Sequence, residues 1–265
     1  DVVYIRRGIS IVPALFARLK KVLLMYEIND DPYADSPGWR GSPAVRFTNW
    51  LSVKTDEIAL SWCDRAFVIT EEIRDKIIQR LPKIDPHKMC VLPSGANTDL
   101  YRPMDKIQCR LTLNLETAGK YIGFMGTLLG HQGVDVLIDA APQVLRSISD
   151  ARFVVIGEGP MKDPWRRRVD ERSLQRHFLF TGPIEYGRTP VWINAMDVCT
   201  APFTVGAGLR SPVKIFDYMA CGKPVVASRI AGTTDVFEGS GAVRLVEPEN
   251  SGALAAAIVD VLADA

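Results

Sequence analysis

RSPVKIFDYMACGKPVVAS, residues 210–228, predicts a short helix that leads almost directly into a buried strand. Ser211 and Pro212 are typical of a helix N-cap and first helical position, because proline has no N–H to leave unpaired there. Gly222 suits the position just beyond a helix C-terminus. We therefore expect a helix over about residues 212–221, followed by an apolar, β-branched strand that is covered on both faces.

The start of this helix has the chemistry of an anion site. The free backbone N–H groups of Val213 and Lys214 would favour a phosphate, and the charge of Lys214 stands beside them. Asp217 lies further along the helix, where a carboxylate can accept hydrogen bonds from sugar hydroxyls. The same pattern is common at helix starts, and Asp217 is also compatible with a solvated polar position.

Length and composition set the class of protein. The chain has 265 residues, is 47% hydrophobic and carries a formal net charge of +1. This length suits two domains, and the charge balance argues against nucleic acid as the main partner. Five cysteines without a CxxC pair predict a reduced, intracellular protein and argue against metal binding by cysteine. Three scattered histidines give little support to a histidine metal cluster. Both ends fall inside secondary-structure patterns, so we expect an incomplete first domain and a truncated final helix.

Strand and helix patterns alternate along almost the whole chain. The strand patterns cover residues 2–5, 22–28, 65–70, 88–93, 121–126, 152–157, 177–182, 197–202, 224–228 and 242–246. One of the helix patterns between them is SVKTDEIALSWC, residues 52–63. Alternation of this kind predicts an α/β fold with parallel sheets, in which ligands bind beyond the carboxyl ends of the strands. A polar, turn-rich stretch at 94–107 predicts a first domain over residues 1–103 and a second over 104–265.

Three common nucleotide and hydrolase motifs are absent. GEGP at residues 157–160 does not complete GxGxxG, and the chain contains neither GxxxxGK[ST] nor GxSxG. Nicotinamide dehydrogenases, P-loop NTPases and α/β-hydrolases are therefore weakly supported.

Several motifs in order resemble the donor domain of retaining glycosyltransferases with the GT-B architecture, glycosyltransferase family 4. They are GFMGTLLGHQGVDVLIDA (123–140), FVVIGEGP (153–160), FLFTGPI (178–184), DVCTAPF (197–203), the opening stretch, and AGTTDVFEGSGAVRLVEP (231–248). VLPSGANTDLYRP (91–103) resembles the family's hinge, and the first strands resemble the later part of its acceptor domain. The resemblance implies two Rossmann-like domains and a nucleoside-diphosphate sugar bound mainly by the second.

The resemblance also implies roles for individual residues. Asp217 matches the glutamate that holds the ribose hydroxyls, Ile184 matches the backbone segment that meets the base, and Lys214 with Arg210 would stabilise the leaving diphosphate. The implied donor-binding set is Gly126, Thr127, Gln132, Gly133, Gly157, Ile184, Leu209, Ser211, Pro212, Val213 and Asp217. The implied reaction transfers the sugar with retention and needs no metal.

This chain departs from the family pattern at three positions. Leu209 stands where the family has the glutamate that touches the donor sugar. Thr127 and Gln132 stand where it has an arginine and a lysine. A buried diphosphate without cations is costly, so Lys214, Arg210 or a protonated His131 would have to replace them.

On the acceptor side, Glu27, Asn29 and Asp30 follow an apolar strand and are expected to face the cleft, although turn formation before Pro32 explains them equally well. Trp39 and Trp50 suit either sugar stacking or core packing. Arg18, Lys20 and Lys21 form one basic cluster, and WRRRVDERSLQRH (165–177) forms another. Contact with an anionic membrane surface is one interpretation of both clusters, and a solvated helix face is the other.

The resulting hypothesis is a glycosyltransferase that uses a UDP- or GDP-sugar and a glycan or lipid-linked acceptor in surface polysaccharide or glycolipid assembly. It would work in the cytoplasm or at the inner face of the membrane. The alternatives are a GT-B nucleotide-sugar epimerase and a degenerate, non-catalytic member that only binds nucleotide.

Overall fold

A computed structural model describes residues 1–6, 10–29, 42–207 and 212–264. The described residues form two compact units that divide between Ser94 and Gly95. Each unit is built on its own parallel sheet. The α/β fold class expected from the alternating patterns is confirmed.

The first unit holds a four-stranded sheet in the order β1-β2-β3-β4, with three helices. Its elements are β1 (Val2–Arg6), α1 (Ile11–Lys20), β2 (Leu23–Ile28), α2 (Pro43–Trp62), β3 (Arg65–Val68), α3 (Glu71–Arg80) and β4 (Met89–Val91). Alternate residues of β2, namely Leu24, Tyr26 and Ile28, are buried, because side chains of a strand point to opposite faces in turn. The strands follow one another in sheet order, so right-handed connections place their helices on one face.

The second unit holds a six-stranded sheet in the order β10-β9-β8-β5-β6-β7. Its strands are β5 (Lys120–Met125), β6 (Ala151–Ile156), β7 (Phe178–Gly182), β8 (Val198–Ala201), β9 (Val225–Ser228) and β10 (Val243–Val246). Its helices are α4 (Lys106–Thr112), α5 (Val134–Ser147), α6 (Lys162–Glu171), α7 (Thr189–Ala195), α8 (Val213–Ala220), α9 (Ala231–Phe237) and α10 (Ser251–Ala263).

Two hydrophobic clusters cover the two faces of this second sheet. On β5, Ile122 and Phe124 enter one cluster, and Tyr121 enters the other. Both faces are therefore buried, as the nearly unbroken apolar composition of these strands predicts. Among the described residues, no helix is both long enough and apolar enough to cross a membrane.

The segment that follows the division belongs to the second unit. The hydroxyl groups of Tyr101 and Thr189 are 2.9 Å apart, and Nδ2 of Asn194 donates a hydrogen bond to the carbonyl oxygen of Arg102 at 3.0 Å. Residues 95–103, assigned above to the first domain, therefore group with the second because α7 holds them.

All ten predicted strands occur within two residues of their expected ends. Helix α2 differs, because it begins at Pro43 while the sequence predicts a helix only over 52–63. The first half of α2 is exposed on most sides, so it carries no clear pattern of buried positions.

Candidate functional site

Parallel sheets form a ligand-binding crevice where the strand order reverses, and in the second unit we use this term for the position between the carboxyl ends of β5 and β8. The chain runs outward from β5 through β6 to β7, then returns to β8 on the other side of β5 and continues to β9 and β10. The strand order therefore reverses between β5 and β8, and parallel sheets bind ligands at such a point. Gly126 follows β5 directly, and Pro202 follows β8.

The loops after these two strands are in direct contact. The backbone N–H of Thr204 donates to the carbonyl oxygen of His131 at 3.1 Å. Gly133 has a φ of +69°, and a Cβ atom there would lie 1.8 Å from the carbonyl oxygen of Pro202. Only glycine allows both this conformation and this close approach. Gly133, which the resemblance places in the donor site, is therefore required for steric reasons.

Helix α8 begins beside this crevice, one residue later than predicted. Pro212 is the N-cap residue, with a ψ of 62°, and is not the first helical residue. Its carbonyl oxygen accepts the backbone N–H of Ile215 at 2.8 Å. Among the described residues, the backbone N–H groups of Val213 and Lys214 have no hydrogen-bond acceptor. Within the described ranges, the two amides that were expected to be free therefore have no protein acceptor, and Pro212 caps the helix in the place expected for Ser211.

The C-terminus of α8 has the predicted geometry. Gly222 has a φ of +68°, and its N–H donates to the carbonyl oxygen of Met219 at 2.8 Å. The N–H of Lys223 reaches the carbonyl oxygen of Tyr218 at 3.0 Å. These two bonds form a Schellman motif, which ends the helix immediately before β9.

Lys214 reaches from α8 across to the loop after β5. Its ammonium group donates a hydrogen bond to Oε1 of Gln132. The nitrogen lies 4.1 Å from the centre of the Phe124 ring and 5.1 Å from that of Phe203. A Cβ atom at Gly126 would lie 2.8 Å from the same nitrogen, so a larger residue there would displace the end of the lysine side chain.

Burial lowers the pKa of Lys214 from 10.5 to about 7. The two aromatic rings offset part of the lost hydration of the ammonium, since a cation is attracted to the face of an aromatic ring. Among the described residues, no carboxylate lies within 4.0 Å of this nitrogen. Lys214 is thus a desolvated cation that has no anionic partner in this part of the protein.

Asp217 is the matching carboxylate on the same helix. It is only 8% exposed, and burial raises its pKa from 3.8 to about 6. No donor among the described residues lies within hydrogen-bonding distance of its side chain. A buried carboxylate without donors is unfavourable in an isolated domain, so its position favours a ligand that supplies hydroxyl groups.

The remaining predicted donor residues lie along the same edge of the sheet. Gly157 follows β6, and its N–H donates to the carbonyl oxygen of Gly182 at 3.1 Å. Thr127 is exposed directly after Gly126, and Ile184 is half-buried against the second hydrophobic cluster beyond the end of β7. Leu209, Arg210, Ser211 and Asp30 fall outside the described residues.

Several residues of the site could not be found from the sequence. The hydroxyl of Tyr218 accepts the backbone N–H of Met125 at 2.8 Å and fixes α8 to the end of β5. Phe124 and Phe203 flank Lys214, although in sequence they are ordinary apolar strand and loop residues. No local pattern distinguishes these residues from core residues.

The first unit carries a separate cavity of about 160 Å³ at the carboxyl end of its sheet. Its lining includes Tyr4, Glu27, Asn29, Phe67 and Ser94. The hydroxyl of Tyr4 donates to a carboxylate oxygen of Glu27, and this hydrogen bond is the main reason why the pKa of Glu27 is lowered. Two of the three predicted acceptor-side residues, Glu27 and Asn29, therefore line one cavity.

A cluster of side chains suited to a metal ion does not occur within the described ranges. The adjacent carboxylates Asp30 and Asp31 lie outside those ranges.

The fold is similar to that of solved glycosyltransferases with the GT-B architecture. Anabaena HepE, solved in complex with UDP, superposes with a TM-score of 0.75 at 20% identity, covering 100% of this chain and 69% of that one. This likeness defines the class of fold.

The sequence itself then places the chain in a family. Residues 119–264, more than half of the chain, match the family described as Glycosyl transferases group 1. The protein belongs to that family.

Curated relatives are similar over part of their length. A GDP-mannose-dependent alpha-(1-6)-phosphatidylinositol monomannoside mannosyltransferase of Mycolicibacterium smegmatis is 28% identical over 178 residues, which are 65% of this chain and 47% of that protein. The alpha-D-kanosaminyltransferase of Streptomyces kanamyceticus is 22% identical over 95% of this chain and 64% of its own length. The chain thus spans about half the length of the mannosyltransferase and about two thirds of the kanosaminyltransferase.

Proposed function

We propose that this protein is a retaining glycosyltransferase of family 4, which transfers a sugar from a UDP-sugar or GDP-sugar to a glycan or a lipid-linked acceptor and releases the nucleoside diphosphate. The observation that carries the proposal is that α8 bears both a desolvated cation, Lys214, and a buried carboxylate, Asp217, beside the crevice between β5 and β8. The two side chains do not form an ion pair with each other. Membership of a glycosyltransferase family supports the same conclusion.

Lys214 takes over the charge that Gln132 lacks. The family's lysine after the first strand of this domain is replaced by Gln132, and Lys214 donates a hydrogen bond to the side chain of that glutamine. A cation from α8 would thus occupy the place that a cation from the loop after β5 occupies in the family. A diphosphate bound here would meet Lys214 and the free N–H groups at the start of α8.

The chemical step requires stabilisation of the nucleoside diphosphate as it leaves. An ammonium group and helix N–H groups provide that stabilisation without reorganisation, since they are already in place before the reaction. Asp217 would orient the donor by accepting hydrogen bonds from the ribose hydroxyls. The acceptor hydroxyl would attack the face from which the diphosphate departs, with a phosphate oxygen as the base, so that the configuration is retained. We propose that this chemistry needs neither a metal nor a cofactor.

The cavity of the first unit is our candidate for the acceptor. Glu27 is ionised and held by Tyr4, so it can accept hydrogen bonds from sugar hydroxyls. Asn29 adds a side-chain amide, and Phe67 offers an apolar surface for the carbon face of a ring. The acceptor and donor names of the relatives, phosphatidylinositol monomannoside and GDP-mannose, are compatible with a lipid-linked acceptor in surface glycolipid assembly.

The test is a calorimetric titration of the chain with UDP and with GDP. We expect one nucleotide to bind, and Asp217→Ala to weaken it by roughly 1.5–3 kcal/mol, the usual contribution of hydrogen bonds to a charged group. Asp260→Ala, on the exposed side of α10, is the matched control and should bind normally. Absence of binding to the wild-type chain, or an unchanged affinity in Asp217→Ala, would contradict the proposed donor site. Turnover of the UDP- or GDP-sugar then separates an enzyme from a protein that only binds nucleotide.

A further inference from the structure

Helix α1 presents large apolar side chains to solvent. Val12 is 67% exposed, Leu15 46%, Phe16 53% and Leu19 72%. Its buried residues are the small Ala14 and Ala17. The usual amphipathic arrangement is therefore reversed, because the large apolar groups lie on the outer side and the small ones face the sheet. Contiguous exposure of this kind marks an interaction surface.

The same helix carries only positive charge. Its sequence contains no acidic residue, and Arg18, Lys20 and Lys21 are all exposed near its C-terminus. Arg18 lies 4.9 Å from the centre of the Trp62 ring. None of these three cations forms an ion pair with another residue that the structure describes. Asp64, which lines the same cavity as Arg18 and Lys21, accepts the backbone N–H of Leu24 at 2.8 Å.

Helix α2 extends this surface. Oγ of Ser10 donates to Asp56 at 2.6 Å, and Arg18 contacts Trp62, so α1 lies beside the second half of α2. The first ten residues of α2 thus project about 15 Å past the start of α1. Phe47 and Trp50 on that half are exposed and stack with their ring centres 5.9 Å apart.

The outer faces of the two helices point the same way. Both helices cover the same face of the first sheet, because β1, β2 and β3 are consecutive neighbours with right-handed connections. Phe47 lies on the side of α2 opposite to the buried Asp56 and Leu60, as the helical repeat requires. Apolar groups from α1, aromatic groups from α2 and three cations therefore share one side of the unit.

We propose that this side of the first unit docks on an anionic lipid bilayer, with α1 lying in the interface. Exposed leucine and phenylalanine side chains would enter the boundary between headgroups and acyl chains, tryptophan would lie at headgroup level, and the lysines would meet anionic headgroups. The charge complementarity selects an anionic surface over an apolar protein partner. The second basic run lacks this combination, since Arg168 and Arg172 both pair with Asp139.

The test is sedimentation of the full chain with vesicles. One set contains phosphatidylcholine with phosphatidylglycerol, and the other contains phosphatidylcholine alone. We expect binding to the anionic vesicles only, and weaker binding at high salt because exposed charges are screened. Leu15→Ser/Leu19→Ser and Lys20→Gln/Lys21→Gln should each lower the bound fraction about tenfold. These side chains are exposed, so circular dichroism should show unchanged folding.

Matched controls are Leu111→Ser on α4 and Lys83→Gln, which are exposed residues outside this surface and should bind like the wild type. Three results would overturn the proposal: no binding to anionic vesicles, equal binding of the α1 variants, or a change of oligomeric state in those variants, which would assign the surface to a second copy. The contact goes beyond the proposed transfer reaction. Nucleotide titration tests the second unit, so failure of one proposal is distinguishable from failure of the other.

Discussion

Asp217 and Lys214 are both buried on α8, and we propose that they bind different parts of one ligand. Burial raises the pKa of the carboxyl and lowers that of the ammonium, so each is destabilised in its charged form. Neither pKa is shifted by an attractive charge, because burial is the cause in both cases. Two opposite charges that each lose hydration without pairing are typical of a site that waits for a ligand with both hydroxyl groups and phosphate.

At the residue scale, Asp217→Asn is expected to stabilise the unliganded protein while weakening nucleotide binding. The folded pKa of about 6 lies above the unfolded value of 3.8, so the folded state binds more protons across that window. Stability therefore falls as the pH rises from about 4 to 6, by up to roughly 3 kcal/mol. Urea unfolding should show the variant more stable at pH 7.5 and equal to the wild type below pH 4. A wild type that is as stable as the variant at both pH values would contradict this interpretation.

We expect Lys214 to take up a proton when the nucleotide binds. A diphosphate favours the ammonium form, whereas burial has lowered the pKa of Lys214 to about 7. Affinity for the nucleotide should therefore fall by up to about tenfold per pH unit above pH 7, with proton uptake on binding. Calorimetry at pH 8 in buffers of different ionisation enthalpy measures that uptake. Lys214→Gln should abolish both effects, and a wild-type affinity that is constant from pH 7 to 9 would exclude the linkage.

The sequence predicts that Asp217 and Lys214 lie on one helix, but it does not predict the residues that contact Lys214. Helical spacing and the start signal at Pro212 suffice to place both on one helix. The partners of Lys214 come from distant segments, since Gln132 and Phe124 meet it only when β5 and α8 pack together. Contacts of this kind leave no local pattern, so Phe124 is indistinguishable in sequence from a core residue.

At the element scale, backbone hydrogen bonds join the carboxyl ends of β5, β6 and β7 beside the proposed donor site. The N–H of Gly126 donates to the carbonyl oxygen of Ile156 at 3.0 Å, and the N–H of Gly157 donates to that of Gly182 at 3.1 Å. The residue after each of β5 and β6 is therefore hydrogen-bonded to the end of the neighbouring strand. These bonds fix the start of the loop after β5, which contains Gln132, the partner of Lys214.

Gly157→Ala tests how much the close contact between the ends of β5 and β6 contributes to stability. Gly157 has a φ of +134°, and a Cβ atom would lie 2.0 Å from the carbonyl oxygen of Gly126, a backbone atom that cannot rotate away. We expect a loss of stability of about 3 kcal/mol or more, together with weaker nucleotide binding. Gly187→Ala is the control, because nothing lies within 4 Å of its Cβ position and its φ is not in the left-handed region. Urea unfolding of both variants measures the difference, and equal stability would show that the strand ends can separate freely.

Helices and strands with a buried face were predicted from their sequence patterns, but the first half of α2, which has no buried face, was not. The strands of both units were found within two residues because apolar runs bounded by turn residues are strong signals. The first half of α2 has no buried side, so its helical state follows from Ser42 and Pro43 at its start and not from periodicity. That half carries Phe47 and Trp50, whose exposure only the structure reveals.

At the scale of the whole molecule, the proposed donor site and the proposed membrane-binding surface lie in different units. The second unit has two hydrophobic clusters and the crevice between β5 and β8. The first unit has the Glu27 cavity and the exposed faces of α1 and α2. Each unit has its own sheet and its own buried residues, so a ligand of one unit is expected to stabilise that unit directly.

Nucleotide binding should therefore protect the second unit and leave the first unchanged. A ligand that binds only the folded state stabilises it by about 2.7 kcal/mol when it is present at a hundredfold excess over Kd. Hydrogen exchange followed by mass spectrometry should show slower exchange in peptides that cover β5, β8 and α8 when UDP or GDP is added. Peptides that cover β1 and β2 serve as the internal control and should exchange at an unchanged rate. Protection that is equal in β1 and β2 would mean that the nucleotide also depends on the first unit, and a donor site held by the second unit alone would then be wrong.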